Sequence, residues 1–217
     1  MTSLALYVDA HWCSPWTFVV HVGLREKQLA FTTAVAMVRP GVGAVDAMHE
    51  RTITGTAPVL NAGNLWIAES QAIIEYLDEA FPSPAWPRLL PPDIGDRARA
   101  RQLMSWIRSS HEALRRERPM ERLIYRTSDA PPLSAAATRA AHDLLRAAAR
   151  LPISATTTLF PTFSITDVDL ALHLWRLTAT DLSLPPAVAG YLDTMLARPS
   201  VREVLDHPRP PYVPPLE

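Results

Sequence analysis

At 217 residues, 48% hydrophobic and 20% charged, the chain has a globular composition with room for one large or two small cored domains. A formal net charge of −1 gives no field to draw in nucleic acid or an anionic membrane, and one cysteine excludes an intrachain disulfide framework and a multi-cysteine metal site. No segment reaches the roughly 20 apolar residues of a membrane span and the first residues lack a basic, apolar leader pattern, so a cytoplasmic protein is expected.

Leu4-Ala-Leu-Tyr-Val8 reads as a buried strand. Asp9 to Ser14 is a polar turn, and Pro15 suits the first position of a helix running through Trp16, Phe18, Val19, Val20, Val22 and Leu24 to Arg25-Glu26-Lys27. Residues 29–38 read as a second strand after this crossover, followed by an irregular segment. Thr56-Ala57-Pro58-Val59-Leu60 puts a proline at the mouth of an apolar run. Proline lacks a ladder donor, so it belongs at a strand start, an edge or a bulge. A short turn at Asn61-Ala-Gly-Asn64 leads to another strand, and then Glu69-Ser70-Gln71 opens a helix with Ile73, Ile74, Leu77 and Phe81 on one face. Ser70 is a favoured N-cap type, and a helix start rich in free N–H groups is a ready anion site. The Pro58 and Ser70 segments together suggest a site that holds a small peptide by its backbone and captures its terminal carboxylate. The order of elements is thioredoxin-like.

Residues 82–92 hold five prolines and read as an extended linker between a first domain, 1–81, and a second, 93–217. The second domain has helical patterning and little strand signal. Residues 93–118 read as one long helix with Leu103, Trp106, Ile107 and Leu114 among its buried candidates, and Arg97, Arg99 and Arg101 on a solvated, salt-bridged face. Ser134 caps an Ala-rich helix carrying Leu144, Leu145, Ala148 and Leu151. Ser164-Ile165-Thr166-Asp167 has the spacing of a capping box, in which Ser164 and Asp167 exchange hydrogen bonds. The helix it opens is apolar nearly all round and is expected at the centre of its domain. The last ten residues contain five prolines and read as an extended tail.

These segments, in this order, resemble the cytosolic glutathione transferase family, with closest similarity to small bacterial members that place Ser or Cys at the first helix. The matching residues are Ser14-Pro15, Ala57-Pro58-Val59-Leu60, Glu69-Ser70-Gln71-Ala72-Ile73, Ser164-Ile165-Thr166-Asp167 and Arg198-Pro199-Ser200-Val201, which together span nearly the whole chain. The resemblance implies an α/β thioredoxin-like N-terminal domain that binds glutathione, an all-α C-terminal domain with the second-substrate site, and a homodimer. It implies a transferase that activates the glutathione thiol for attack on a small electrophile or a peroxide, as in detoxification and oxidative-stress chemistry. Glutathione is the co-substrate, and no metal is expected.

In the family, the residue at the position of Ser14 stabilises the thiolate. A free thiol near pKa 8.5 needs a shift of roughly 1.5 units, worth about 2 kcal/mol, to be half ionised at neutral pH. A serine hydroxyl donating to sulfur, together with a helix N-terminus, has that size of effect. Cys13 is the rival, with mixed-disulfide, reductase-type chemistry. Trp at position 16 removes any Cys-x-x-Cys pair. The family pattern places Ala57, exposed by Pro58, on the cysteinyl backbone, Ser70 on the γ-glutamyl carboxylate and Glu69 near its α-ammonium. For the glycyl carboxylate the chain is atypical, with His49, Arg39 and Arg51 as candidates. His11, Trp106, His111 and Arg115 are expected around the second substrate. The competing class is a non-enzymatic binding module that retains the fold.

Overall fold

The computed structural model describes residues 3–39, 42–44, 46–127 and 130–212, with the backbone alone described within 37–47. The N-terminal half folds as β1 (Leu4–Asp9), α1 (Pro15–Glu26), β2 (Thr32–Arg39), β3 (Val42–Ala44), α2 (Asp46–His49), β4 (Val59–Ala62), β5 (Leu65–Ala68) and α3 (Ser70–Ala80). Its five strands form one sheet in the order β3-β2-β1-β4-β5. β1 runs parallel to β2, as a helical crossover demands, and antiparallel to β4, with Leu6 opposite Leu60. The Pro58 segment therefore enters the sheet beside its central strand.

α1 and α3 pack on one face of this sheet. α1 is buried nearly all round because the helical half covers its other side: Phe18, Val19, Val20, Val22 and Leu24 are at most 1% exposed. Gly23 permits that close approach, since a Cβ there would lie 2.7 Å from Ile74 Cδ1 on α3. At the end of α1, the ammonium of Lys27 is fully buried, 2.9 Å from Asp78 and 2.6 Å from the carbonyl of Phe81.

The helical half comprises α4 (Ile94–Ser110), α5 (Glu112–Glu117), α6 (Met120–Tyr125), α7 (Ala135–Ala148), α8 (Ile165–Trp175), α9 (Pro186–Leu196) and α10 (Pro199–Leu205). α8 is central, as its apolar sequence predicts, and contacts α1, α4 and α9. The reading of 93–118 as one helix is corrected: the chain breaks at His111. Arg115 explains how the break is tolerated. Its guanidinium donates to the carbonyls of Ile107 and Arg108, each at 2.7 Å, filling acceptors that a helix end otherwise leaves open. The Ala-rich helix ends at Ala148, short of Leu151, with Ser134 capping it through the N–H of Ala137.

The proline-rich linker is not a free spacer. Leu89 and Leu90 are buried, the N–H of Leu89 donates to Asp78, and its carbonyl accepts from Ile165 at the head of α8. One apolar cluster consequently runs from β1 through α1, Leu89 and Leu90 into α4 and α8. At the other end of the chain, residues 207–212 lie against the turn before α1. His207 stacks on Trp12 with ring centroids 4.0 Å apart, and the carbonyl of Pro210 accepts from Tyr125 Oη at 2.8 Å.

Candidate functional site

The turn between β1 and α1 is organised by Asp9, which sequence reasoning left as an ordinary turn residue. Its carboxylate, fully buried, accepts from the N–H groups of Cys13 at 2.9 Å and Ser14 at 3.0 Å. An acidic residue closing a strand can fold the following main chain onto itself in this way. Ser14 becomes the N-cap of α1, where its Oγ accepts from the N–H of Thr17 at 3.3 Å. A hydroxyl has one hydrogen and two lone pairs, so this use leaves its O–H to donate. The neighbouring Cys13 is directed differently. Its thiol donates to the carbonyl of His11, and burial, with Asp9 and Glu121 adding like charge, pushes its pKa up to about 12.

Across the sheet, the peptide bond before Pro58 is cis, and Ala57 sits at the mouth of β4. Ser70 is the first residue of α3 rather than its cap, correcting the sequence expectation. Glu69 is the N-cap, at φ +69°, with no side-chain capping bond. A side chain other than glycine held in that backbone region stores strain of about 1–3 kcal/mol, which is characteristic of binding sites. The N–H of Ile73 is the first to bond within the helix, to the carbonyl of Glu69.

A cavity of about 310 Å³ opens between the two halves, lined by Trp16, Thr56, Ala57, Pro58, Glu69, Ser70, Arg108 and Arg115. Its size is at the low end for small-molecule sites. Arg108, on the last turn of α4, carries its guanidinium 4.6 Å from the Trp16 ring centroid, and Arg115 lies 5.7 Å from the same ring. Arg108 donates to Ser70 Oγ at 3.2 Å and forms an ion pair with Asp169 of α8. Burial raises the Asp169 pKa, opposed by the attraction of Arg108. Neither Arg108 nor Trp16 nor Asp169 was assigned a site role from sequence. The only signal for Asp169 is a second acid inside an otherwise apolar helix.

The structure brings together four of the predicted binding residues, Ala57, Pro58, Glu69 and Ser70, with Arg115 facing them. It does not bring in the other expected second-substrate residues. His11 is buried, and its Nδ1 is hydrogen-bonded to Tyr125 Oη at 3.0 Å. Trp106 lines a separate apolar cavity of about 580 Å³ with Leu103, Leu151 and Phe160. His111 is buried against Trp106, and burial lowers its pKa. Trp106 reaches that second cavity from within the unbroken part of α4, while Arg108, two residues on, is the α4 side chain that lines the cleft. His49 is exposed at the end of α2 with its ring over Gly55, where φ is +61° and a Cβ would collide with the imidazole. Arg51 lies over the Trp66 ring at 4.6 Å, and the side chain of Arg39 falls outside the described residues.

Asp167 is a structural hub, and it is better connected than a capping box requires. It accepts from the N–H of Ser164 at 2.9 Å, the N–H of Leu159 at 2.8 Å and Tyr191 Oη at 3.0 Å. The Ser164 hydroxyl points to the same carboxylate, at 3.4 Å. Among the described residues, no group of three or more His, Cys, Asp or Glu is placed to hold a metal, and no helix is long and apolar enough to cross a membrane.

Two family profiles match the chain: "Glutathione S-transferase, N-terminal domain" over residues 12–85 and "Glutathione S-transferase, C-terminal domain" over residues 93–207. A crystal structure of a glutathione transferase homologue from Burkholderia (BGR1), with bound glutathione, superposes with a TM-score of 0.78 at 34% identity, covering 94% of this chain and 97% of that one. A glutathione S-transferase from Rhodospirillum rubrum F11 superposes at 0.71 with 27% identity, covering 98% and 96%. A probable maleylacetoacetate isomerase of Vibrio cholerae is 40% identical over 93 residues, 42% of this chain and 41% of that protein. Glutathione S-transferase U13 of Arabidopsis thaliana is 33% identical over 104 residues, 44% of this chain and again 41% of the relative. The chain spans about two fifths of the length of these two curated relatives.

Proposed function

The chain belongs to the glutathione S-transferase family, and we propose that it is a glutathione transferase in which Ser14 stabilises the thiolate for attack on a small electrophile or peroxide. The observation that carries this reading is the cavity wall formed by Ala57, Pro58, Glu69 and Ser70, with Glu69 held at φ +69°. In it, the γ-glutamyl carboxylate of glutathione takes the Ser70 hydroxyl and the free N–H groups at the head of α3, where the helix dipole also favours an anion. Glu69 meets the α-ammonium, and the main chain of Ala57 pairs with the cysteinyl unit. The thiol then lies toward the start of α1.

Ser14 is 4% exposed and is not itself among the residues lining the cavity, which α1 meets at Trp16; capping uses its lone pair and leaves its hydrogen for a sulfur brought to the head of α1. A hydrogen bond to a charged group contributes about 1.5–3 kcal/mol, enough for the roughly 2 kcal/mol that half-ionisation needs. The buried Asp9 carboxylate, taking the Ser14 N–H, works against an anion here, so the hydroxyl carries more of the stabilisation than the helix end does. Burial pushes the Cys13 pKa up to about 12 and so keeps it a thiol at neutral pH, which disfavours the thiol-transfer alternative. Arg115 and Trp16 form the second-substrate wall, and His49, Arg39 and Arg51 are the candidates for the glycyl carboxylate. The working form is a cytoplasmic homodimer.

The test is titration calorimetry with glutathione, paired with conjugation of 1-chloro-2,4-dinitrobenzene and reduction of cumene hydroperoxide. Binding with turnover of either substrate supports the proposal. Absence of heat and of any thermal shift at millimolar glutathione would overturn it, and binding with no turnover of any electrophile would make the chain a binding module.

A further inference from the structure

We propose that Arg108 is a direct contact for the γ-glutamyl carboxylate and that Asp169 is its positioning residue, so the helical half reads the same end of the tripeptide as α3. This rests on the glutathione reading above. The geometry leaves Arg108 few other duties. Its Nη1 donates to the carbonyl of Met104 at 2.9 Å and to Asp169, and its Nη2 donates to Ser70 Oγ. Arginine has five N–H hydrogens and no lone pair to offer. Three are used, and the others remain for a ligand in the cavity that Arg108 lines. The indole of Trp16, 4.6 Å from the guanidinium carbon, restrains its position.

The contact also sets the Ser70 hydroxyl. Because Arg108 can only donate, Ser70 Oγ is the acceptor between them, which leaves its own hydrogen to donate elsewhere. Ser70, 4% exposed, and Arg108 thus set O–H and N–H donors side by side on the cavity wall at the head of α3. Asp169 accounts for the arrangement. It is 0% exposed, one oxygen holds Arg108, and the other has no hydrogen-bond partner among the described residues. Buried ion pairs are commonly no more stable than apolar packing, so a fully buried acid inside the central helix is weakly explained by stability. It is explained by the need to hold a guanidinium fork, whose bidentate geometry matches a carboxylate, at a cleft between two halves of the chain.

The test compares glutathione with an analogue whose γ-glutamyl unit is replaced by 4-aminobutyryl, which lacks only the α-carboxylate. Dissociation constants are measured by calorimetry on the full-length wild type, Arg108→Met, Arg108→Lys and Asp169→Asn. Wild type should prefer glutathione by about tenfold to a hundredfold, the size of a charged hydrogen bond. Arg108→Met should shrink that preference about tenfold while leaving analogue affinity within about twofold, and Arg108→Lys should recover part of it. Asp169→Asn should weaken glutathione more than the analogue, whereas a merely structural role would weaken both alike. If the methionine variant does not fold, Arg108→Gln carries the same comparison. An unchanged preference in the Arg108 variants overturns this inference and leaves the glutathione reading standing, as does equal binding of the two ligands by wild type. Failure of wild type to bind glutathione overturns both.

Discussion

Replacing Asp167 by alanine should destabilise the fold by more than a lost helix cap does. Asp167 is 0% exposed, and its carboxylate serves the N–H groups of Ser164 and Leu159, residues that are 1% and 7% exposed. Tyr191 Oη keeps a partner, since it also donates to the main-chain carbonyl of residue 167 at 3.1 Å. The variant therefore strands two buried main-chain donors. Each stranded donor costs about 1–3 kcal/mol, against roughly 0.5–2 for a simple cap. Part is returned, because burial raises the Asp167 pKa and the charged side chain is itself a desolvation cost. The net expectation is about 2–5 kcal/mol. The sign with pH follows. A folded pKa above the unfolded one gives a contribution that is present below about pH 3.9 and lost as pH rises through the folded value, and alanine removes that slope. Urea unfolding followed by tryptophan fluorescence measures the loss, alongside KM and kcat well below the melting midpoint. A loss under about 1 kcal/mol, or reduced turnover with an unmoved unfolding midpoint, would refute the assignment of Asp167 to architecture.

Ser14→Ala should slow conjugation about tenfold to a hundredfold near neutral pH, with the deficit shrinking at higher pH as the thiol ionises unaided. Cys13→Ala should leave the rate nearly unchanged, and native Cys13 should resist iodoacetamide until urea exposes it; the opposite pattern in rates would return catalysis to Cys13. Lys27→Met should cost about 3–5 kcal/mol by leaving Asp78 buried without its cation, and adding Asp78→Asn, which keeps an acceptor for Leu89, should restore much of it in a double-mutant cycle. His21 is buried against Trp12 and Phe31, and burial lowers its pKa to about 4 despite the opposing pull of Glu203. Its contribution is complete above about pH 6.5 and lost as pH falls through 4, so His21→Phe should reduce the stability difference between about pH 6.5 and pH 5 by about 1–2 kcal/mol, read from urea midpoints.

The local elements were legible in the sequence because each has a local cause. Pro15 starts α1, Pro58 marks the mouth of β4, Ser134 caps α7, and the apolar circumference of α8 announces its central place. Glu69 and Ser70 were readable as the start of a helix, which lines the cavity, and Asp167 by its spacing from Ser164, although its partners Leu159 and Tyr191 were not. What only the tertiary structure decided depends on groups far apart in the chain. Arg115 fills the last carbonyls of α4 at the break by His111, and the packing of α4 sets Trp106 in a second cavity, with His111 against it, instead of in the cleft. The tail beyond α10 reaches Trp12 and Tyr125, and Leu89 joins the halves through Asp78 and Ile165. Arg108 meets Ser70 across 38 positions of sequence and Asp169 across 61. Periodicity and capping act over one or two turns of helix, whereas a guanidinium set between a buried acid and a distant hydroxyl leaves no periodic trace, so that part of the site was settled by packing alone.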